Sequence, residues 1–396
     1  MIRNRTQKLR RNIVLYTLIR IFFKRSYLPI IAIFAVVDAG LALPQIGVIA
    51  AITSAIALIA EVPSGYVSDR IGHRNALIVG AVFVMCAPLW PLLVPHFWGM
   101  LGESVFFFVG YAFHSGTAQA LLHDTLRELG EEERFGAVNA RAQKYGLLAF
   151  VVLVTLVPIS YRFHHAAPFA LGFVLQSAVL IASLLMVQPR RMQHHNTVPM
   201  MSVWALVKEL WHGGQLLFFF FVGLSTGVIH KLPEYREILL QDIGVAVAVF
   251  GVIVAAGNLF GAVLMHAVVR LEQLPHRTFY FYDMVAIMSM SLALGIFAQG
   301  MVIALVFVLI VGYARVRQVV MHAHLLAQCA PHHPKATYLS LFELFSSVHR
   351  MWLPLLLGAS IGSFGVQQGY LLFGGSVSVL LLVLYVFVQK YFLRTI

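Results

Sequence analysis

The chain has 396 residues, of which 60% are hydrophobic and only 11% charged, with a mean hydropathy of +0.84 and a formal net charge of +12. A soluble domain of this length cannot hide so much apolar side-chain surface, so the bilayer is the expected solvent. The positive charge does not point to nucleic acid, because the basic residues fall between hydrophobic runs rather than in one patch.

The basic start MIRNRTQKLRR leads into an apolar run with no small-residue cleavage site, so the first span is expected to stay in the protein. Runs long enough to cross a bilayer lie at about 12–37, 43–67, 75–95, 97–124, 137–161 and 166–187. Six more lie at about 214–240, 243–269, 278–299, 301–327, 337–362 and 366–391. The expected fold is an all-α integral membrane protein with twelve transmembrane helices in two six-helix halves, 1–187 and 214–396, joined by a cytoplasmic linker at 188–213. In that linker Trp204, Val207 and Trp211 share one face while Lys208 and Glu209 lie off it, the pattern of an interfacial helix at 202–211.

The even-numbered connections carry Arg70, Arg74, Arg127, Arg134, Arg190, Arg191, Arg270, Arg277 and Lys335, and the termini add Arg3, Arg5, Lys8, Arg10, Arg11, Lys390 and Arg394. Against these, the odd-numbered connections carry Arg162. This asymmetry puts both termini in the cytoplasm, at the cytoplasmic (inner) membrane of a prokaryote. Cys86, in an apolar run, and Cys329, in a connection, give no disulfide framework.

Charges at membrane depth are costly and usually face the bundle interior. The first span places Asn12, Tyr16, Arg20, Lys24 and Tyr27 on one helical stripe, with Arg25 beside it. Arg20 lies about 12 Å and Lys24 about 18 Å into the helix at 1.5 Å per residue, so Arg20 reaches back to the cytoplasm more easily than Lys24 or Arg25. The fourth span sets Glu103, Phe107, Tyr111 and His114 on one face, and the tenth carries Tyr313 with Arg317, and Arg315 with Gln318 and His322. The seventh gathers His230, Lys231, Glu234, Arg236 and Glu237 around Pro233, and Glu343, Ser347 and Arg350 share a face of the eleventh. Two readings stay open for these groups, solute contact and internal pairing such as Glu103 with a base of the first span.

Proton coupling needs a carboxylate whose affinity for protons is raised by desolvation, and Glu103, Asp283 and Glu343 are the candidates. The adjacent pairs His164/His165, His194/His195 and His332/His333, and His322 with His324, lack the Cys or carboxylate partners of a metal site, so no metal and no cofactor is expected. There is no phosphate-binding loop of the Gly-x-x-x-x-Gly-Lys-[Ser/Thr] form, which argues against ATP-driven transport by this chain. A membrane enzyme acting on lipids would need catalytic groups converging at one interface, and no nucleophile–base set stands out.

The stretch GYVSDRIGHR at 65–74 resembles the signature loop of the major facilitator superfamily, Gly-x-x-x-Asp-Arg-x-Gly-[Arg/Lys]-[Arg/Lys]. Gly65, Asp69, Arg70, Gly72 and Arg74 match it, and His73 stands where the family has Arg or Lys. The preceding EVPSG is similar to the Glu-x-Pro-[Ser/Thr]-Gly lead-in of one bacterial subgroup, and SGTAQALLHDTLRELG and KATYLSLFEL resemble that subgroup's fourth span and its entry to the eleventh. The resemblance implies a secondary transporter working by alternating access, in export or exchange, with import on the same fold as the alternative. It implies that Asp69 faces the start of the eleventh span near Lys335–Thr337, and that the loop bases pair with an acid at the end of the fourth, here Asp124. A neutral His73 would pair weakly with Asp124 and a protonated one well. It further implies a central path lined by the first, fourth, seventh and tenth spans, where Arg20, Lys24, Arg25, Glu103, Tyr111, His114, Arg315 and Arg317 become solute contacts. Bases outnumber acids there, so the expected partners are a small anionic or zwitterionic solute and membrane lipid, with no nucleic acid, and the protein is expected to act as a monomer.

Overall fold

The computed structural model describes residues 2–190, 215–298, 300–327 and 335–391. The linker from residue 191 onward, with its interfacial helix at 202–211, and Cys329, His332, His333 and Arg394 lie outside them; Arg191, His194 and His195 fall in that part of the linker. The described residues are helical, without strands. In chain order the helices are α1 (Ile2–Phe22), α2 (Leu28–Val37), α3 (Leu43–Ile71), α4 (His73–Cys86), α5 (Leu89–Leu93), α6 (Phe97–Ser115), α7 (Thr117–Glu128), α8 (Phe135–Ile159) and α9 (Ala167–Leu185). They continue with α10 (Gln215–Lys231), α11 (Arg236–Asp242), α12 (Val247–Leu264), α13 (Val268–Glu272), α14 (His276–Ile296), α15 (Val302–Ala327) and α16 (Lys335–Tyr391).

Among the described residues ten helical stretches are long and apolar enough to cross a membrane. One of them, Leu341–Lys390, breaks at Gly365, whose φ of 79° no ordinary L-residue adopts comfortably, and so supplies two spans. The α1–α2 segment supplies the remaining one, which makes the layout consistent with twelve.

The first span differs from the continuous helix expected over 12–37. It breaks between Phe22 and Leu28 because Pro29 has no N–H for the Arg25 carbonyl and its ring crowds that residue. The Arg25 carbonyl accepts instead from the Leu28 N–H at 3.1 Å, and Ile30 restarts the ladder on Tyr27 at 2.9 Å. Pro233 interrupts the seventh span in the same way, leaving a single 3₁₀ turn at Leu232–Tyr235 between α10 and α11. The fourth span is also longer than expected, running through α6 and α7 to Glu128.

The described chain forms two compact units. One comprises residues up to Leu41, then from Ala55, with Ala246–Ala255; the other comprises Ala42–Ser54, the segment ending at Val245, and the chain from Ala256. The division therefore does not follow the two sequence halves alone, since the first part of α3 belongs to the second unit and the first part of α12 to the first.

Small residues set the helix spacing within each unit, as expected where lipid gives no hydrophobic drive to association. In the first, α4 crosses α6 at Gly80 and Gly110: a Cβ on Gly80 would come within 2.7 Å of the Phe113 Cβ, and one on Gly110 within 2.7 Å of the Gly80 carbonyl oxygen. The core beneath joins Tyr16, Ile19, Leu77, Val84, Leu121 and Leu122. In the second, Gly223 and Gly227 of α10 lie against Phe345 and His349 of α16; a methyl group on either glycine would stand only 3.0 Å from Phe345 or 2.8 Å from His349.

Candidate functional site

Three polar regions stand out, and the signature loop is the first. Gly72 (φ 91°, ψ 144°) makes the turn between α3 and α4 in a conformation open essentially to glycine. Thr117 donates to the Ser68 hydroxyl at 3.0 Å, and Ser68 lies 2.9 Å from His73 Nδ1. With Ser68 donating, Nδ1 accepts and the ring presents its Nε2–H to Asp124, whose Oδ2 is 3.6 Å away. Asp124 also lies 4.0 Å from His123, which contacts Glu132 at 3.0 Å.

Arg74 goes elsewhere. Its Nε and Nη2 donate to the carbonyls of Met186 and Leu184 at 2.6 and 2.7 Å, and its backbone N–H donates to Gln188 Oε1 at 2.8 Å. It therefore caps the negative end of α9 rather than reaching Asp124. Arg70 stacks on Tyr66 at 4.6 Å, and Asp69 and Gly65 are exposed on the same last turns of α3. The side chains of Lys335–Thr337 lie outside the described residues, so the contact of Asp69 there stays an expectation of the resemblance.

The second region is the polar stripe of the first span, and it is largely tied down inside the first unit. Asn12 exchanges two hydrogen bonds with the Val187 backbone, at 2.8 and 3.0 Å. Tyr16 donates to Asn139 at 2.8 Å and Arg20 to Gln143 at 2.9 Å. Arg25 lies across Glu103 with both carboxylate oxygens engaged, its Nε donating at 2.9 Å, while Tyr27 adds a third donor at 2.9 Å and Ser104 takes an Arg25 Nη2 proton at 3.1 Å. The Glu103 side chain is fully buried, and Phe107 covers the guanidinium at 4.9 Å. Lys24 and Tyr111 remain exposed, whereas His114 is buried against Phe23 with ring centroids 4.4 Å apart.

The third region is in the second unit. Arg317 is buried in α15 and gives Nε and Nη2 to Asp283 at 2.6 and 2.9 Å, Nη1 to Thr226 at 2.8 Å and Nη2 to Ser225 at 2.5 Å. Tyr313 completes the shell on Asp283 at 2.6 Å. Next to this node is a small, partly open cleft lined among others by Thr226, His230, Arg317, His322, Glu343 and Arg350. Glu343 Oε1 lies 3.5 Å from His322 Nε2, and Oε2 lies 3.6 Å from Arg350 Nη2. Arg315 is exposed on the far side of the same helix, its Cδ beside Gly261.

The structure thus joins Glu343 and Arg350, one face of the eleventh span in the sequence, to His322 of the tenth and His230 of the seventh. Periodicity placed each of them on its own helix but carries no signal for which faces meet. Arg236 and Glu237 pair with each other in a buried contact, and Lys231 reaches Glu234 at 3.2 Å. His165 binds Asp38 at 2.5 Å and His276 meets His324 at 2.7 Å. Among the described residues no group of three or more His, Cys, Asp or Glu is placed to hold a metal.

Comparison with known proteins puts this arrangement in context. A family model described as Major Facilitator Superfamily matches residues 13–354. Among solved structures, that of the nucleoside transporter NupG superposes with a TM-score of 0.79 over 97% of this chain and 99% of its own, at 13% identity. A POT family transporter in complex with a thioalcohol conjugated peptide gives 0.71 over 96% and 97% at 14% identity. A D-xylose-proton symporter gives 0.63 over 97% of each chain at 14% identity. No curated protein sequence matches. At these identities the likeness is one of fold.

Proposed function

Because the chain belongs to the major facilitator superfamily, and is an integral membrane transporter rather than an enzyme, we propose that it carries a small anionic or zwitterionic solute across the cytoplasmic membrane of a prokaryote by alternating access. The observation that carries this reading is the cleft lined by His230, His322, Glu343 and Arg350, ionisable groups kept at membrane depth and partly open to solvent. Lys24, Tyr111 and Arg315, all exposed, are assigned as further solute contacts, and Arg25, Glu103, His114 and Arg317 as the buried groups that hold the path in shape.

Asp69, Arg70, His73 and Asp124 form the cytoplasmic latch in this reading, with Gly65 and Gly72 permitting the turn. Arg74 supports it by fixing α4 to the end of α9. Among the three coupling candidates, Asp283 and Glu103 are saturated by hydrogen bonds, while Glu343 keeps two long contacts and a half-exposed carboxylate. Glu343 is therefore the group assigned to proton exchange. The direction read from the sequence is export or exchange.

The test is flux in proteoliposomes, with gradients of protons and of solute applied in each sense. Solute movement that follows a gradient, and a loss of proton-driven flux in Glu343→Gln, is the expected result. Lipid turnover without gradient-dependent flux would overturn the reading.

A further inference from the structure

Among the described residues, the cleft of the second unit has an arginine, Arg350, with N–H groups left over for a ligand. Arg317 spends its Nε, Nη1 and Nη2 on Asp283, Thr226 and Ser225. Arg350 makes one hydrogen bond among the described residues, from Nη2 to Ser347 Oγ at 2.7 Å. Its nearest carboxylate oxygen, on Glu343, is 3.6 Å away, beyond hydrogen-bond distance. The remaining N–H groups of its planar fork are those that recognise a carboxylate in two parallel bonds.

Glu343 is loosely held as well. Its two oxygens face His322 and Arg350 at 3.5 and 3.6 Å, and 44% of its side chain is exposed. His230 binds the Thr226 carbonyl through Nδ1 at 2.8 Å, so Nδ1 carries the proton and Nε2 is an acceptor. The permanent charges pair off, Arg317 with Asp283 and Arg350 with Glu343. A bare anion or a bare cation entering here would bring an uncompensated charge to membrane depth, which is expensive. A solute carrying both signs brings none.

We propose that this cleft binds a small zwitterion, an amino acid or a close analogue, with its carboxylate in the fork of Arg350 and its ammonium on Glu343. The solute replaces one loose protein pair with two charge-assisted hydrogen-bonded contacts, and Ser347 holds the Arg350 fork in place. This rests on the transporter reading above and names its substrate class.

The full chain, purified in detergent at neutral pH, is titrated with matched probes by thermal shift and calorimetry. Alanine and leucine are compared with propionate and 4-methylpentanoate, which lack the amine, and with ethylamine and 3-methylbutylamine, which lack the carboxylate. Expected is binding of at least one zwitterion, about tenfold or more tighter than both of its single-charge analogues, because a site built for a polar group rejects the analogue lacking it. Glu343→Gln should lose the zwitterion by a similar factor yet bind the carboxylate analogue more tightly than the native chain does. Arg350→Gln should lose both, and Arg350→Lys, which keeps charge without the fork, should fall between. Each variant is first shown to elute and unfold as the native chain does; a variant that does not is replaced by its partner in the pair.

Equal binding of carboxylate and zwitterion, an unchanged preference in Glu343→Gln, or no binding by any probe overturns the proposal. Flux in proteoliposomes separates the two readings. Zwitterion binding without flux of any solute sinks the transporter reading, whereas gradient-driven flux of another solute with no zwitterion binding sinks only this inference.

Discussion

Glu103→Gln tests whether the ion pair of the first unit is structural or a proton-coupling site. The native carboxylate is fully buried and accepts from Arg25 Nε and Nη2 and from Tyr27. A glutamine keeps the shape but removes the charge, leaving the Arg25 guanidinium, whose side chain is 12% exposed, without a counter-ion. Removing one partner of a buried pair costs about 3–5 kcal/mol. At roughly 2–4 °C per kcal/mol for a unit of this size, the melting midpoint in detergent should fall by about 10 °C. The double variant Arg25→Met, Glu103→Leu should recover most of that loss, because it removes both desolvation penalties together. The assay is thermal unfolding of the native chain, both single variants and the double variant, closed as a cycle. A Glu103→Gln midpoint within about 1 °C of native, combined with a collapse of proton-driven flux, would refute the structural reading and make Glu103 the coupling group. A double variant as unstable as the single would refute the pairing energetics.

The same logic applies at Asp283→Asn, where Arg317 keeps Ser225 and Thr226 but loses its counter-ion; a destabilisation of about 3 kcal/mol or more is expected by thermal unfolding. Gly72→Ala should cost about 1–3 kcal/mol, since φ 91° with ψ 144° is strained for any side chain and the new Cβ would sit 3.2 Å from Gln188 Oε1; circular dichroism melts read it directly. His73→Arg should flatten the dependence of flux on cytoplasmic pH. In the proposed latch a protonated His73 holds Asp124, beside His123 and Glu132, more strongly than a neutral one. An unchanged pH profile would remove His73 from the latch.

The spans were legible because each is an apolar run of bilayer length, a signal that survives any choice of partner. The interruption at Phe23–Tyr27 was not, although Pro29 announces it, because the spacing Asn12, Tyr16, Arg20, Lys24 fits an unbroken helix so well. That stripe is correct as a helical face and says nothing about what it meets. Its partners are amides and backbone carbonyls, Asn139, Gln143 and Val187, which carry no charge pattern to betray them. Arg74 shows the same limit: it matches the signature position, yet its bonds go to the carbonyl ends of α9, groups common to every helix. Glu343 and Arg350 could be placed on one face, but that His322 and His230 line the same cleft is a fact of helix packing.

The two saturated nodes and the open one answer different demands. A charge at membrane depth is tolerable once a carboxylate and one or two hydroxyls satisfy it, and then it ties together the helices that supply them. Arg317 joins α15 to α14 through Asp283 and to α10 through Ser225 and Thr226, so it fixes three helices of the second unit against one another. Arg25 fixes the broken first span to α6 through Glu103 and Ser104, at the point where Pro29 has removed the helix's own bonds. Both nodes tie their helices together, and each carboxylate is engaged on both oxygens. Arg350 does nothing comparable: it bonds one hydroxyl of its own helix and stands off its carboxylate. Among the described residues Arg350 makes no crosslink between helices and is kept partly exposed in the cleft. In a protein that must bind and release, that is the place where a ligand's own charges would complete the set.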